Sequence, residues 1–240
     1  MTKPQRLRMT IDITMTILSI ILMGGNYLFP ADIVHEILGV GLFVLWGVHI
    51  ALNRRWYGAI FRGNYNPYRV MQTVINCCIL ICTIFLMISG IILSNHIFTF
   101  LNIQGGLGFA RIAHLLASHW YYLFMSLHIG LHVGMITNKM CHPAPINCHP
   151  ELVSGSHAEE MPKQVRHDKL RKILLALVCA YGIYAFIARG VWKYLILRQQ
   201  FFFFDLECGY ILFAIDYISI IILFATLSHL LAKSLKKGKL

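Results

Sequence analysis

Apolar residues fill six windows of this chain, at about 11–29, 35–52, 70–93, 112–137, 173–196 and 209–231, with charged or turn-forming residues between them. A helix needs about 20 mostly apolar residues to cross about 30 Å of hydrocarbon, and each window approaches or exceeds that length. The second window is the shortest, and the fifth is interrupted by Arg189 and Lys193. No stretch alternates apolar and polar residues for long enough to read as the strand of a membrane barrel. Because lipid offers a backbone no hydrogen-bond partners, the pattern predicts an all-α, polytopic membrane protein with six spanning helices.

Composition agrees with the pattern. The 240 residues are 58% hydrophobic and only 13% charged, with a mean hydropathy of +0.65, whereas soluble domains carry about 25% charged residues. The first apolar stretch has full helix length and no small-residue cleavage site, so it is expected to remain as a helix and not to be removed as a signal peptide.

The net charge of +11 alone would admit a nucleic-acid partner. Its distribution argues otherwise. Seventeen of the 21 Lys and Arg residues fall on one side of the predicted membrane. Lys3, Arg6 and Arg8 precede the first window, and Arg54, Arg55, Arg62 and Arg69 follow the second. Six more, from Lys139 to Lys172, follow the fourth, and Lys233, Lys236, Lys237 and Lys239 form the tail. The positive-inside rule then places both termini in the cytoplasm of a bacterial-type inner (plasma) membrane. Such clusters suit stop-transfer and contact with lipid headgroups, and no aromatic-interleaved basic patch or recognition module accompanies them, so no nucleic-acid partner is expected.

Histidines in two of the windows carry the candidate chemistry. "HEILGVGLFVLWGVHI" places His35 and His49 fourteen residues apart, and the fourth window repeats the interval between His114 and His128. In a helix that interval is about 40° of rotation and about 21 Å of rise, so both rings of each pair leave nearly one face at separate depths. One full crossing separates the two windows, so their helices run in the same direction, and His35 can face His114 while His49 faces His128. Two stacked imidazole pairs inside a bundle are what bis-histidine ligation of two b-type haems requires, with irons about 20 Å apart. Gly39, Gly41, Gly47, Gly130, Gly134, Gly24, Gly25 and Gly90 are candidates for the close approach of a flat macrocycle.

Two further histidines lie in the fourth window. His132, one turn beyond His128 and about 40° from it, competes for the inner iron, and a propionate contact or a quinone pocket are its other readings. His119, about 140° round from His114, faces elsewhere and is expected to be a bystander. Arg189 and Asp216 are charges at similar depth in the fifth and sixth windows, and they are expected to pair. The other reading of Arg189, together with Arg111, is contact with the propionates of the outer haem.

The motif "HEILGVGLFVLWGVHIALNRRW" with "RIAHLL" and "LHIGLH" resembles the small integral-membrane cytochrome b domains associated with flavinylated extracytoplasmic electron-transfer proteins. The fourteen-residue interval is also similar to that of respiratory cytochrome b and of the di-haem cytochrome b subunits of membrane hydrogenases and formate dehydrogenases. The resemblance covers residues 11–136, with "SGIILS" at 89–94 as a weaker match. It implies His35, His49, His114 and His128 as axial ligands of two non-covalent haems. It also implies an electron relay, and the expected function is transfer between a quinone or membrane donor and an extracytoplasmic redox partner protein, a flavoprotein or a dehydrogenase-like or hydrogenase-like enzyme. The chain would then be an electron-transfer subunit of an oxidoreductase system more than a stand-alone enzyme. The expected organisation is a four-helix haem-binding bundle at 1–137, a flexible cytoplasmic linker at 138–172, and two additional spans with a basic tail at 173–240.

Competing readings are weaker on chemistry. A histidine-lined transporter or metal-binding membrane protein usually adds Asp or Glu beside its histidines, and the histidine faces here offer only Glu36. A membrane protease would need G-x-S-x-G or H-E-x-x-H, and His35-Glu36 is followed by Leu38 and Gly39. The seven cysteines form no disulfide framework, and the absence of C-x-x-C-H argues against covalent haem. The loop "CHPAPINCHPELVSGSHAEE" repeats C-H-P at Cys141 and Cys148, but its Pro- and Ser-rich composition reads as a disordered linker more than a zinc site. "FFFFD" at 201–205 suggests an interfacial aromatic anchor, His229 a packing or interfacial role, and His96 an exposed outer loop.

Overall fold

The computed structural model describes residues 3–25, 31–60, 62, 64–141, 161–201 and 209–237, and these are helical with short connections. In chain order the helices are α1 (Lys3–Leu22), α2 (Asp32–Leu52), α3 (Arg54–Ala59), α4 (Pro67–Leu93), α5 (Leu107–Cys141), α6 (Met161–Ala188), α7 (Val191–Leu195) and α8 (Gly209–Lys237). Four of them are long and apolar enough to cross a membrane: Asp32–Leu52, Pro67–Leu93, Lys169–Ala188 and Gly209–Lys236. The described residues are therefore all-helical, with four helices that suit a membrane. Helices α1 and α5 match the first and fourth windows in position but fall outside those four, since α1 opens with polar and basic residues and α5 carries His and Tyr along its length.

Local chemistry sets the helix ends. Asn66 caps α4 by accepting a 2.8 Å hydrogen bond from the Arg69 backbone N–H, and Pro67 occupies the first turn, where a missing N–H costs nothing. The fifth window, expected as one helix to residue 196, is two. Helix α6 stops at Ala188, and Gly190 takes a left-handed conformation, φ +64°, before α7 begins. Only glycine enters that region without strain, and here it lets α7 fold back onto α5. Val191 and Tyr194 of α7 are buried, Tyr194 stacks on His119, and Trp120 Nε1 donates to the Leu195 carbonyl at 3.1 Å.

The expected linker at 138–172 is shorter than predicted, because its backbone is helical at both ends, to Cys141 and from Met161. The intervening Cys148 and His157, Lys239 of the basic tail, and the phenylalanines at 202–204 lie outside the described residues.

The best-packed core joins α5, α6, α7 and α8, through Tyr122, Met125, Ala185, Val191, Tyr217 and Ile220. The boundary expected between 137 and 173 is thus no packing boundary. Small residues explain the closeness of the α5–α8 contact: a Cβ on Gly130 would stand 2.1 Å from the Ala225 carbonyl oxygen, and Ser228 Oγ donates to the Leu127 carbonyl at 2.6 Å. Gly130 therefore serves helix packing and not a cofactor cradle. Helix α4 packs along α5 on another side. Helix α2 has no buried residue and lies chiefly against α1. Large apolar side chains such as Val44, Ile81, Phe85, Leu177, Ile187 and Ile211 are exposed on α2, α4, α6 and α8, presenting an apolar surface that suits lipid.

Candidate functional site

Helices α2 and α5 each bring two histidines to the space between them. The His35 and His114 ring centroids are 6.4 Å apart at an interplanar angle of 62°. The His49 and His128 centroids are also 6.4 Å apart, at 74°. The fourteen-residue interval in each helix thus produces two pairs of equal spacing, at depths that differ by about 21 Å along the helix.

That spacing has a chemical meaning. A metal–imidazole bond is about 2 Å, and an imidazole nitrogen lies about 1.15 Å from its ring centroid, so two imidazoles on opposite sides of one metal have centroids about 6.3 Å apart. Both pairs match this value. A direct imidazole–imidazole hydrogen bond would draw the rings closer than they stand.

On three of the four rings Nδ1 is held by a neighbour, the kind of outer contact that orients a metal-binding histidine. His114 Nδ1 lies 3.0 Å from Ser89 Oγ of α4. The serine hydroxyl donates to the Phe85 carbonyl at 2.6 Å, so toward His114 it accepts. His128 Nδ1 donates to Asn76 Oδ1, also on α4, at 2.8 Å. His49 Nδ1 donates to Asp12 Oδ1 of α1 at 2.7 Å. Each of these acceptors favours the tautomer with Nδ1 protonated, which leaves the lone pair of that ring on Nε2. At His49 Nε2 there is only a long 3.4 Å contact from Asn53 Nδ2, whose shorter bond, 2.9 Å, goes to the His49 carbonyl. His35 Nδ1 is buried, and among the described residues it has no hydrogen-bond partner.

Each pair supplies two protein donors. Among the described residues no group of three or more His, Cys, Asp or Glu is assembled into a metal cage. Two imidazoles alone do not saturate a first-row metal, so the residues present fit a metal whose remaining four ligands come from a planar macrocycle better than they fit a bare ion. A Cβ at Gly39, Gly41 or Gly47 of α2 would meet no heavy atom within 4 Å.

The other predicted residues fall as follows. His132 lies against His128, with centroids 4.7 Å apart. His119, the expected bystander, is buried on another side of α5 with its ring 4.2 Å from that of Tyr194 and its Nδ1 2.8 Å from the Leu115 carbonyl. Arg111 is exposed in the first turn of α5. Arg189 Nε donates to Asp216 Oδ2 at 2.7 Å, and Tyr181 donates to the other carboxylate oxygen at 2.5 Å, so the expected ion pair is present. His229 approaches α5 beside Gly134.

Sequence reasoning did not single out Asp12, Asn76 or the role of Glu36. The Glu36 carboxylate accepts from Ser94 Oγ at 2.7 Å and from the backbone N–H groups of Asn95 and Ile97 at 2.8 and 3.0 Å, clamping α2 to the end of α4. A usable signal existed: a polar residue within an apolar window is a functional candidate by default, and Asp12 and Asn76 are such residues in the first and third windows. No family model, curated protein or solved structure matches this chain.

Proposed function

We propose that the chain is a di-haem b-type cytochrome of the membrane. It relays electrons between a quinone or another membrane donor and an extracytoplasmic redox partner, a flavoprotein or a hydrogenase-like or dehydrogenase-like enzyme. The observation that carries this reading is the pair of 6.4 Å imidazole spacings, each within about 0.1 Å of the span expected across one axially ligated metal. In this reading His35 and His114 hold one haem and His49 and His128 hold the other. Bound haem would supply reversible one-electron chemistry at iron.

The chain's own residues do the rest. Ser89, Asn76 and Asp12 orient three of the four rings, and the apolar walls of α2, α4 and α5 keep water from the macrocycles. Two tiers about 21 Å apart make a path for electrons between the two leaflets. With the basic clusters in the cytoplasm, the His35–His114 tier lies toward the outer face and the His49–His128 tier toward the inner face, and α1 and α5 complete six spans of a bacterial-type inner membrane. Arg111 is the cation placed to meet outer propionates, since Arg189 is joined to Asp216.

The experiment is a reduced-minus-oxidised absorption spectrum of the purified protein, with haem extracted and counted per chain. A b-type signal with two haems per chain is the expected result. Protein made with ample haem that shows no such signal would overturn the reading and favour a haem-free, histidine-lined carrier.

A further inference from the structure

The two α2 histidines differ in what holds their outer nitrogens. His49 Nδ1 donates to a carboxylate, Asp12 Oδ1, at 2.7 Å. Among the described residues His35 Nδ1 has no partner. Their α5 counterparts do not differ in this way, for His114 and His128 both face neutral oxygens, Ser89 Oγ at 3.0 Å and Asn76 Oδ1 at 2.8 Å. The asymmetry in what the Nδ1 nitrogens bond to is therefore concentrated in one residue of α1.

A carboxylate on the far nitrogen of a ligand imidazole raises the basicity of the ring and strengthens its donation to the metal. Stronger donation, with a negative charge close by, stabilises the oxidised iron over the reduced iron. Asp12 is directed at His49 alone: among the described residues no Lys or Arg lies within ion-pair distance of it. Its side chain is 53% exposed, so the carboxylate keeps part of its water and its burial costs little. The His35 tier also has two nearby carboxylates, Glu36 and Asp32; Glu36 is spent on Ser94 and the backbone N–H groups of Asn95 and Ile97, and among the described residues neither carboxylate is hydrogen-bonded to an imidazole.

We propose that Asp12 is a positioning residue that makes His49 the stronger donor of the two α2 imidazoles. The iron held by His49 and His128 then has the lower reduction potential, and an electron shared between the tiers settles on the iron held by His35 and His114. The exchange is one electron, oxidising the first iron and reducing the second, and the Nδ1 proton of His49 stays in place. On the proposed orientation this directs electrons from the cytoplasmic side toward the extracytoplasmic partner. The inference rests on the di-haem reading and adds to it the direction of transfer.

Spectroscopic redox titration of the holoprotein tests it. The wild type should show two separated waves, and the wave that survives in His49→Ala, which keeps only the His35 tier, should be the higher one. Asp12→Asn keeps an oxygen that can accept from Nδ1 while removing the charge. It should raise the lower wave by about 59 mV, a tenfold change in the one-electron equilibrium between the tiers, and leave the upper wave in place. Asp12→Glu should restore the wild-type separation. Two haems present with both waves unmoved in Asp12→Asn would overturn the proposal. So would a higher potential at the His49 tier in the wild type, which decides the matter even if the variant binds one haem poorly. A wild type that binds no haem would instead overturn the di-haem reading beneath it.

Discussion

Asn76 on α4 and His128 on α5 are joined by a 2.8 Å hydrogen bond in which the ring Nδ1 donates to the side-chain carbonyl. Thirteen residues later on α4, Ser89 takes the same position toward His114, fourteen residues earlier on the antiparallel α5. Helix α4 thus carries a ladder of acceptors that matches the ladder of histidines, although it contributes no ligand of its own. Replacing Asn76 with Leu removes the bond that sets the tautomer and angle of His128. Haem affinity at that tier should fall about 10–100-fold, the usual cost of losing such an outer partner, while the His114 tier keeps its haem. Haem titration of the apoprotein, followed at two sites, measures both.

The two neighbouring histidines of α5 should separate cleanly. His128→Ala is expected to leave one haem per chain, because His128 is the ring facing His49 at 6.4 Å. His132→Ala is expected to leave two, because His132 packs beside His128. Extracted haem per chain gives the answer, and the opposite pattern would make His132 the ligand.

Arg189 and Asp216 form an ion pair whose side chains are 17% and 8% exposed. Removing one partner of a buried pair typically costs about 3–5 kcal/mol, since the other charge is left without compensation. Arg189→Met should lower the thermal midpoint in detergent accordingly, and Arg189→Met with Asp216→Leu should recover most of the loss. The haem spectrum expected of the proposed cytochrome should change little in either, because the pair joins Arg189 to α8 while the four paired histidines stand on α2 and α5.

Gly130→Ala is a packing test with a sharp steric basis. The added Cβ would lie 2.1 Å from the backbone oxygen of Ala225, so α5 and α8 must separate. Overpacking of this kind costs about 1–3 kcal/mol. Gly39→Ala, where no heavy atom lies within 4 Å, should leave the stability of the apoprotein at or above that of the wild type. Parallel melts of the two variants make the comparison.

Much of the architecture could be read from the chain directly. The apolar windows became long helices because a period-independent run of apolar residues leaves a membrane segment no other way to satisfy its backbone. The interval between His35 and His49, and its repeat between His114 and His128, is a local property of two helices, so their relative faces and depths follow from 100° and 1.5 Å per residue. The break in the fifth window was half legible: Arg189 and Lys193 marked an interruption, but the left-handed turn at Gly190 that reverses the chain onto α5 depends on what α7 finds to pack against.

What lay beyond the sequence is everything that depends on which helices are neighbours. Asp12 and His49 are 37 residues apart, and Asn76 and His128 are 52 apart. No local rule of spacing links them, because their meeting is set by the packing of α1 on α2 and of α4 on α5. The same holds for Gly130, which its composition suggested as a cofactor cradle and which the backbone of Ala225 claims. The sequence by itself determined the helices, the two depths and the chemistry available at each, since these follow from covalent periodicity and residue type. Only the tertiary structure decided which oxygen faces each ring and which tier carries the carboxylate, because those contacts arise from side-by-side packing that a linear pattern does not encode.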